Sequence, residues 1–347
     1  MVRWLVIEPG PGFSVFDVHT GICAALRSLG EQVAEYNLSD RISFFGYAHL
    51  PDGNGGYRPA LTSRDQVMNM AMEPIRSWSA DVVLAVSAFF TPGECLDMFR
   101  ARGSTVVLWH TESPYQDEEQ LQRAAHADLN IVNDPVSLPP FTELGPAYYQ
   151  PHCYRPDVHY PGAGQRRYDF AFVGTGFASR IRFFEQMRLP ARSVLAGPWP
   201  GLAPSSPLAP LLLDESMADG YDPNLMTCLD NEETAALYRE SKTGINFYRR
   251  EAHSGHANGV AMGPREVEMA ASGLWFARDP RPEGDTLFPM LPRFTTPEEA
   301  SDQVAWAVAH DEAREKAAAA AMAAVRDRTF ESAARRMTGE VARIRGN

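Results

Sequence analysis

The sequence predicts an α/β protein with two Rossmann-like domains, and three observations indicate this fold. Residues 3–7 read as a strand, residues 15–29 as a helix with one apolar face, and residues 32–36 as a second strand, which together make a β-α-β unit. A further strand running into a glycine turn begins at Tyr168. Between them, residues 147–161 are rich in proline and aromatic side chains, which is typical of an interdomain linker.

Apolar runs bounded by turn residues predict the other strands. These runs lie at residues 81–86, 105–109, 128–133, 168–173, 193–196, 243–248 and 274–277. Helical patterns cover residues 92–102, 231–241, 264–273 and 317–325, and Thr296 begins another helix. Residues 40–62 are predicted to be a long loop, and residues 200–226 an insertion or irregular crossing. The 347 residues suffice for two domains, which we expect at residues 1–150 and 151–328.

Composition limits the classes of function. The formal net charge of −12 argues against a large nucleic-acid footprint, although a local basic groove stays possible. No stretch is long and apolar enough for a membrane span, and residues 3–8 are too short for a signal peptide. We therefore expect a cytoplasmic protein without membrane insertion.

Cysteine spacing predicts neither a disulfide framework nor a zinc site. The four cysteines are far apart in the chain: Cys23, Cys95, Cys153 and Cys228. His253 and His256 form a His-x-x-His pair, but no third ligand stands at a useful spacing. The expectation is therefore a protein that holds no metal ion and no cofactor.

Polar residues follow the predicted strands of the first domain. His110 and Glu112 come directly after the strand at residues 105–109, where parallel sheets bind ligands. Histidine is a general base near neutral pH, so this pair is the strongest catalytic candidate there. Asp17 and His19, behind the loop after the first strand, are further candidates. The alternatives are helix capping by His110 or Asp17 and a surface position for His19.

Residues 259–279 read as a loop, a short helix and a buried strand. Gly263 and Pro264 mark the helix start and Gly273 its end. Arg265 and Glu268 lie near the beginning of the helix, where unpaired backbone N–H groups favour anions and carboxylates can accept hydrogen bonds from sugar hydroxyls. The alternative is an ordinary capped helix with a solvated acidic first turn.

The order Arg265, Glu268, Ala271 and Gly273 resembles the donor-site signature of GT-B glycosyltransferases, Arg-x-x-Glu-x-x-Ala-x-Gly. It is most similar to the group-1 type that includes the spore-maturation-like transferases. The resemblance implies that Glu268 binds the ribose of a nucleotide sugar and that the helix N-terminus faces the diphosphate. Many relatives carry another Glu eight positions earlier that touches the sugar, whereas this chain has Val260 there.

The resemblance extends to other parts of the second half. Its glycine turn is similar to one that approaches the donor phosphates, and the loop before the donor helix would meet the diphosphate and sugar. The residues that the resemblance thereby assigns to the donor are Gly174, Thr175, Gly176, Arg180, Arg249, His253 and Gly263. Trp199 would either stack on the nucleotide base or pack inside its domain.

The implied fold is GT-B: two Rossmann-like domains facing a cleft, with a last helix at about residues 329–347 crossing back to the first domain. The implied activity is transfer of a sugar from a nucleotide diphosphate donor, for example a UDP-sugar, to a hydroxyl acceptor. By family likeness we expect a retaining, metal-independent reaction. An inverting one would need a base, which His110, Glu112, Asp17 or His19 would supply.

Three alternatives remain open from the sequence. The first is a glycosyltransferase acting on a hydroxymethyl-pyrimidine base of DNA. The second is a nucleotide-sugar-binding protein without turnover, and the third is an epimerase of the same fold. A small molecule, glycan or protein acceptor ranks above DNA because the chain is acidic overall.

Overall fold

The computed structural model describes residues 1–10, 15–53, 55–213, 229–250 and 259–346. It divides into two compact units. The first comprises Met1–Pro151 and Phe330–Asn347, and the second His152–Thr329.

The first unit is built on a parallel sheet. Its strands are β1 (Arg3–Ile7), β2 (Gln32–Tyr36), β5 (Val82–Val86), β6 (Thr105–Trp109), β7 (Leu129–Val132) and β8 (Ala147–Tyr149), and β3 (His49–Pro51) pairs with β4 (Tyr57–Pro59) as a separate hairpin. Its helices are α1 (Phe16–Ser28), α2 (Leu38–Tyr47), α3 (Arg64–Met72), α4 (Gly93–Ala101), α5 (Asp117–Ala124) and α6 (Leu138–Leu144). The six-stranded sheet has the order β2-β1-β5-β6-β7-β8. β5 and β6 are buried along their whole length, as strands covered on both faces are.

The second unit repeats this design with four strands. These are β9 (Tyr168–Val173), β10 (Ser193–Ala196), β11 (Ser241–Asn246) and β12 (Trp275–Arg278), in the parallel order β10-β9-β11-β12. Its helices are α7 (Ala178–Gln186), α8 (Asn231–Arg239), α9 (Pro264–Ala271), α10 (Pro282–Leu287), α11 (Pro297–Ala309) and α12 (Asp311–Val325). Aromatic residues such as Phe170, Phe276 and Phe294 fill its core.

The last helix, α13 (Phe330–Arg345), belongs to the first unit, which confirms the expected return of the chain. Its apolar stripe is buried there, including Phe330, Met337 and Val341. The Phe330 ring lies 6.5 Å from that of Trp109. A Cβ atom on Gly21 would stand 2.3 Å from the Phe330 ring, so the glycine allows α1 to meet α13 closely.

Two local predictions were wrong. Residues 40–62 are not one loop, because they contain most of α2 and the β3–β4 hairpin. The Asn37 side chain accepts a hydrogen bond from Asp40 N at 2.8 Å and caps α2. This N-cap residue indicates a helix start, but the many aromatic residues of the region led to the prediction of a loop. Residues 147–149 are the edge strand β8 rather than linker, paired with β7. The strand was not predicted because it has only three residues and prolines lie close to it on both sides.

None of the helices in the described part of the chain is both long and apolar enough to cross a lipid bilayer.

Candidate functional site

The second unit has a topological switch point beside β9. The chain places β10 on one side of β9 and β11 on the other. Open parallel sheets bind ligands outside the carboxyl ends of their strands at such a point. The turn after β9, the end of β11 and the beginning of α9 supply most of the residues that the sequence assigned to the donor.

Gly174 lies where two arginines approach the turn after β9. Its φ of +150° favours glycine, and a Cβ atom there would lie 2.8 Å from Arg265 Nη2 and 3.3 Å from Arg180 Nη1. Gly176 is equally constrained, since its Cβ would stand 2.3 Å from the ring of Trp199. The turn is therefore a place where backbone and guanidinium groups come close together.

Two aromatic rings connect three arginines at this turn. Arg180 lies 5.4 Å and Arg265 5.7 Å from the centroid of the Phe172 ring. Arg180 lies 5.3 Å and Arg249 5.4 Å from the Phe177 ring. We call Arg180, Arg249 and Arg265 the arginine cluster. Cation–π contacts hold these guanidinium groups in place, and the permanent charge of arginine makes the turn electropositive.

Within the cluster, Arg180 ties two strand ends together. It is 5% exposed, and its Nε and Nη2 donate hydrogen bonds to Phe247 O at 3.1 and 2.8 Å, while Nη1 donates to Thr175 O at 2.9 Å. These bonds fix the turn after β9 against the end of β11. Arg265 is half-buried and donates to Asn246 Oδ1 at 3.3 Å.

The amide of Gly263, the N-cap residue of α9, is already hydrogen-bonded to side chains of the second unit. Gly263 N donates to Tyr248 Oη at 3.1 Å and to Glu266 Oε2 at 3.0 Å, and the Tyr248 hydroxyl donates to Glu266. Pro264 has no amide hydrogen. Thus Gly263, which the sequence assigned to the donor, directs its N–H inward. The side chains of the arginine cluster, more than the helix amides, supply the positive charge here.

Glu266 is fully buried in this arrangement. Burial raises its pKa from 4.5 to about 7, and the hydrogen bonds from Tyr248 and Gly263 oppose this only in part. Glu268 is half-buried two residues further along α9 and three beyond Arg265. Arg265 and Glu268 therefore lie on neighbouring turns of one helix face.

Trp199 is a core residue. It is 5% exposed, and its ring lies 6.0 Å from Phe172 and 5.8 Å from Phe184. Packing inside the domain, one of the two alternatives from the sequence, accounts for these contacts. His253 lies outside the described residues.

His110 in the first unit is a buried, neutral histidine. Burial lowers its pKa to about 4, and its ring packs 4.7 Å from that of Phe141. Asn130 Nδ2 donates to Ala124 O at 3.2 Å, so Asn130 Oδ1 faces His110 Nε2, 2.9 Å away. Nε2 must therefore carry the proton, which leaves Nδ1 as the nitrogen able to accept one.

A hydrogen-bonded network shapes the loop that follows His110. Glu112 is half-buried, and its backbone N–H donates to Gln120 Oε1 at 3.1 Å. Ser113 N donates to Asn133 Oδ1 at 3.0 Å. Thr111 donates to Ser87 Oγ at 2.9 Å across the ends of β5 and β6. The loop is thus fixed at the carboxyl edge of the sheet, where the sequence placed it.

The other two first-unit candidates lie on α1. Asp17 is half-buried in the first turn of the helix. His19 is 1% exposed, so the suggestion of a surface histidine was wrong. Burial lowers its pKa. α1 turns His19 toward Cys23 of the next helical turn and Glu35 of β2.

Sequence reasoning missed several residues that organise these sites. Asn246 and Tyr248 at the end of β11 hold Arg265 and Gly263, but an apolar strand pattern gave no reason to single them out. Ser87 adopts the left-handed conformation with φ +54°, which is rare outside glycine and marks the end of β5. A polar residue directly after a buried strand was the one available signal.

Comparison with known proteins supports the recognition made from the motif. Residues 180–338 match the family model described as "Glycosyl transferase-like". No curated protein matches the chain. The matched range includes all of the arginine cluster and Glu268.

Solved structures match over the whole chain. An α,α-trehalose-phosphate synthase (UDP-forming) from Burkholderia vietnamiensis is 10% identical, with a TM-score of 0.64, over 100% of this chain and 98% of that one. HepE from Anabaena, in complex with UDP and glucose, is 11% identical, with a TM-score of 0.57, over 99% and 100%. An α-glucosyltransferase in complex with UDP and a 13-mer DNA is 13% identical, with a TM-score of 0.60, over 98% and 99%. These likenesses confirm the GT-B fold.

Proposed function

Because residues 180–338 match a glycosyl transferase-like family model and the chain has the GT-B fold, we propose that it transfers a sugar from a nucleoside diphosphate donor to a hydroxyl acceptor. The observation that carries this proposal is the arginine cluster around Gly174 at the switch point of the second unit. Negative charge grows on the diphosphate as the sugar leaves, and preorganised guanidinium groups stabilise that charge. Arginine suits this task because its planar fork matches phosphate oxygens.

Each member of the site has a role in this proposal. Arg265 and Arg249 contact the diphosphate, and Arg180 holds the glycine turn so that Gly174, Thr175 and Gly176 approach the phosphates. Glu268 accepts hydrogen bonds from the ribose. The likeness to structures described as UDP complexes or as UDP-forming makes UDP the nucleoside diphosphate of first choice.

We propose a retaining reaction in which the arginine cluster takes the charge-stabilising role that a metal ion has in other transferases. Retention rests on the resemblance of the donor-site signature. If the reaction inverts instead, Glu112 and Asp17, two half-buried carboxylates of the first unit, are proposed as bases. His110 would act only through Nδ1, and a pKa of about 4 makes it a weak base.

The test is calorimetric titration of the protein with UDP, GDP, ADP, dTDP and CDP. We expect selective binding of one nucleotide. Glu268→Ala should weaken that binding by about 1–3 kcal/mol through loss of ribose hydrogen bonds. Glu232→Ala, an exposed carboxylate in the first turn of α8, is the matched control and should leave it unchanged. Equal affinity of Glu268→Ala and wild type would remove Glu268 from the donor site.

Turnover distinguishes the proposal from its alternatives. Release of the nucleoside diphosphate together with a glycosylated acceptor supports transfer, whereas tight binding without release would indicate a binding protein. Appearance of an epimerised sugar nucleotide without acceptor would indicate an epimerase. This chain has Val260 at the position where the resemblance implies a glutamate that contacts the sugar. The assay therefore decides whether the chain turns the donor over without that glutamate.

DNA is the second candidate acceptor, favoured by the likeness to a glucosyltransferase bound to DNA. The formal net charge of −12 ranks it below a small molecule, glycan or protein. Retention on a DNA column that falls steeply with salt would reverse this order. A cytoplasmic location likewise remains part of the proposal.

A further inference from the structure

His19, Cys23 and Glu35 bring three kinds of metal-binding atom together in the first unit. His19 and Cys23 are four residues apart on α1 and therefore share one side of the helix, while Glu35 lies on β2. His19 Nε2 lies 3.6 Å from Cys23 Sγ and 3.7 Å from Glu35 Oε2. The three ligand atoms all lie within 4.8 Å of one another. The arrangement is distinct from the arginine cluster, which belongs to the second unit.

These separations fit a tetrahedral zinc ion. Zinc bonds of about 2.0–2.2 Å to nitrogen and oxygen and of about 2.3 Å to sulfur place nitrogen and sulfur roughly 3.5 Å apart, and nitrogen and oxygen roughly 3.3–3.5 Å apart. The His19–Cys23 separation of 3.6 Å and the His19–Glu35 separation of 3.7 Å exceed these distances only slightly. A thiolate and an imidazole select zinc-class ions over magnesium or calcium, which prefer oxygen ligands only.

The ring of His19 has a sulfur hydrogen bond between Nε2 and Cys23 Sγ at 3.6 Å. His19 is 1% exposed, and among the described residues its Nδ1 has no hydrogen-bond partner. The 3.7 Å between its Nε2 and Glu35 Oε2 is longer than a normal hydrogen bond. A cation between Nε2, Cys23 Sγ and Glu35 Oε2 would orient the imidazole toward both side chains.

Negative charge collects around the cluster. Glu8 is 8% exposed, and its Oε2 has no hydrogen-bond partner in the described part of the chain. Burial, followed by the charges of Glu35 and Asp40, raises the pKa of Glu8 to about 7. The charge of Glu8 also acts on Cys23. A divalent cation would offset the negative charge of the neighbouring acidic groups.

Glu35 is also positioned for the task. Its Oε1 forms an ion pair with Arg27 Nη2 at 2.5 Å, while its Oε2 faces His19. Such a partner fixes the orientation of a carboxylate ligand. The Glu35 side chain is 35% exposed, whereas that of His19 is 1% exposed, so an ion would reach the buried ligands past Glu35.

From these contacts we propose that His19 Nε2, Cys23 Sγ and Glu35 Oε2 bind one zinc-class divalent ion, with solvent in the fourth position. Cys23 binds as the thiolate, and its proton passes to solvent. The ion links α1 to β2 within the first unit. The proposed sugar transfer uses donor residues of the second unit, so either proposal can fail without the other.

The test is a titration of the reduced, chelator-treated full chain with Co²⁺, which reports a cysteine ligand by a thiolate-to-cobalt absorption band. We expect one equivalent of Co²⁺ to bind and to be displaced by Zn²⁺. Cys23→Ser should abolish the band. Glu35→Gln, a change at a partly exposed position, should weaken Co²⁺ binding on the order of tenfold or more.

The other cysteines provide matched controls. Cys95→Ser and Cys153→Ser change buried cysteines elsewhere, and Cys228→Ser changes the one outside the described residues. All three should keep the band. Absence of the band in the wild type, its persistence in Cys23→Ser, or its loss in one of these controls instead would overturn the proposal. Circular dichroism of each variant verifies that the chain is folded.

Discussion

Arg265 shows how one residue joins the motif to the structure. The sequence placed it at the beginning of a donor helix, and the fold brings its guanidinium group to Gly174 and to the ring of Phe172. Asn246 anchors it by a 3.3 Å hydrogen bond. Its position, unlike that of buried Arg180, leaves it half-exposed beside the glycine turn.

We predict that Arg265→Gln weakens binding of the preferred nucleoside diphosphate by about 1.5–3 kcal/mol, the usual size of a charge-assisted hydrogen bond. Calorimetry measures this directly. Arg192→Gln is the control, because Arg192 is exposed and pairs with Asp169 at 2.6 Å in the same unit. Equal losses in both variants would mean that overall charge, and not the arginine cluster, attracts the nucleotide.

At the scale of elements, α9 differs from a simple anion-binding helix. Tyr248 of the segment after β11 and Glu266 of the helix itself occupy the amide of Gly263. Glu266 has no exposed surface, and its Oε1 has no hydrogen-bond partner among the described residues, which disfavours the charged form. The helix is thus anchored by a carboxyl group that burial tends to keep protonated.

This carboxyl group predicts a pH dependence of stability. The pKa of Glu266 is about 7 in the folded chain against an ordinary value of 4.5, so between these values the folded state holds a proton that the unfolded state has lost. The stabilisation is present below pH 4.5 and is lost as the pH rises through about 7. Its upper limit is roughly 3 kcal/mol.

Urea unfolding of wild type and Glu266→Gln across this range is the measurement. Gln keeps an oxygen that accepts from Tyr248 and Gly263 but cannot ionise. We expect the free energy of unfolding of the wild type to fall relative to the variant as the pH rises. Comparing the two cancels the contribution of Glu8, whose pKa is also about 7. Parallel pH profiles would contradict the prediction.

At the scale of the whole molecule, the chain folds as two parallel-sheet units, and its last helix returns to the first. α13 buries an apolar stripe against that unit, with Met337 fully buried and Ile344 38% exposed. The first unit therefore depends on residues almost 180 positions beyond Pro151, where its first chain segment ends. Its stability cannot be separated from the C-terminus.

We predict that Met337→Ala lowers the free energy of unfolding of the first unit by about 2–5 kcal/mol through lost burial and the cavity left behind. Ile344→Ala, on the exposed side of the same helix, should cost less than about 1 kcal/mol. Chemical denaturation followed by fluorescence measures both. Similar effects of the two substitutions would show that the burial of the stripe does not stabilise the unit.

The sequence by itself determined the class of fold and the position of the motif on which the proposed donor site rests. Strand and helix periodicity follow from local backbone geometry, and the residues of the signature at Arg265 and Glu268 are close together in the chain. Both can therefore be recognised without knowledge of tertiary contacts. The buried strands, the last helix and the glycine turn at Gly174 could be predicted for this reason. Short elements such as α2 and β8 could not, because their periodic signal is too brief.

Only the tertiary structure decided which side chains meet. Arg180, Arg249 and Arg265 come from three separate segments, and only the parallel order of β9 and β11 brings them to one turn. His110 and His19 look alike as catalytic candidates in the sequence, yet one packs against Phe141 and the other faces Cys23 and Glu35. Burial and the identity of long-range neighbours set the pKa and the ligands of a histidine, and neither quantity is encoded in local spacing.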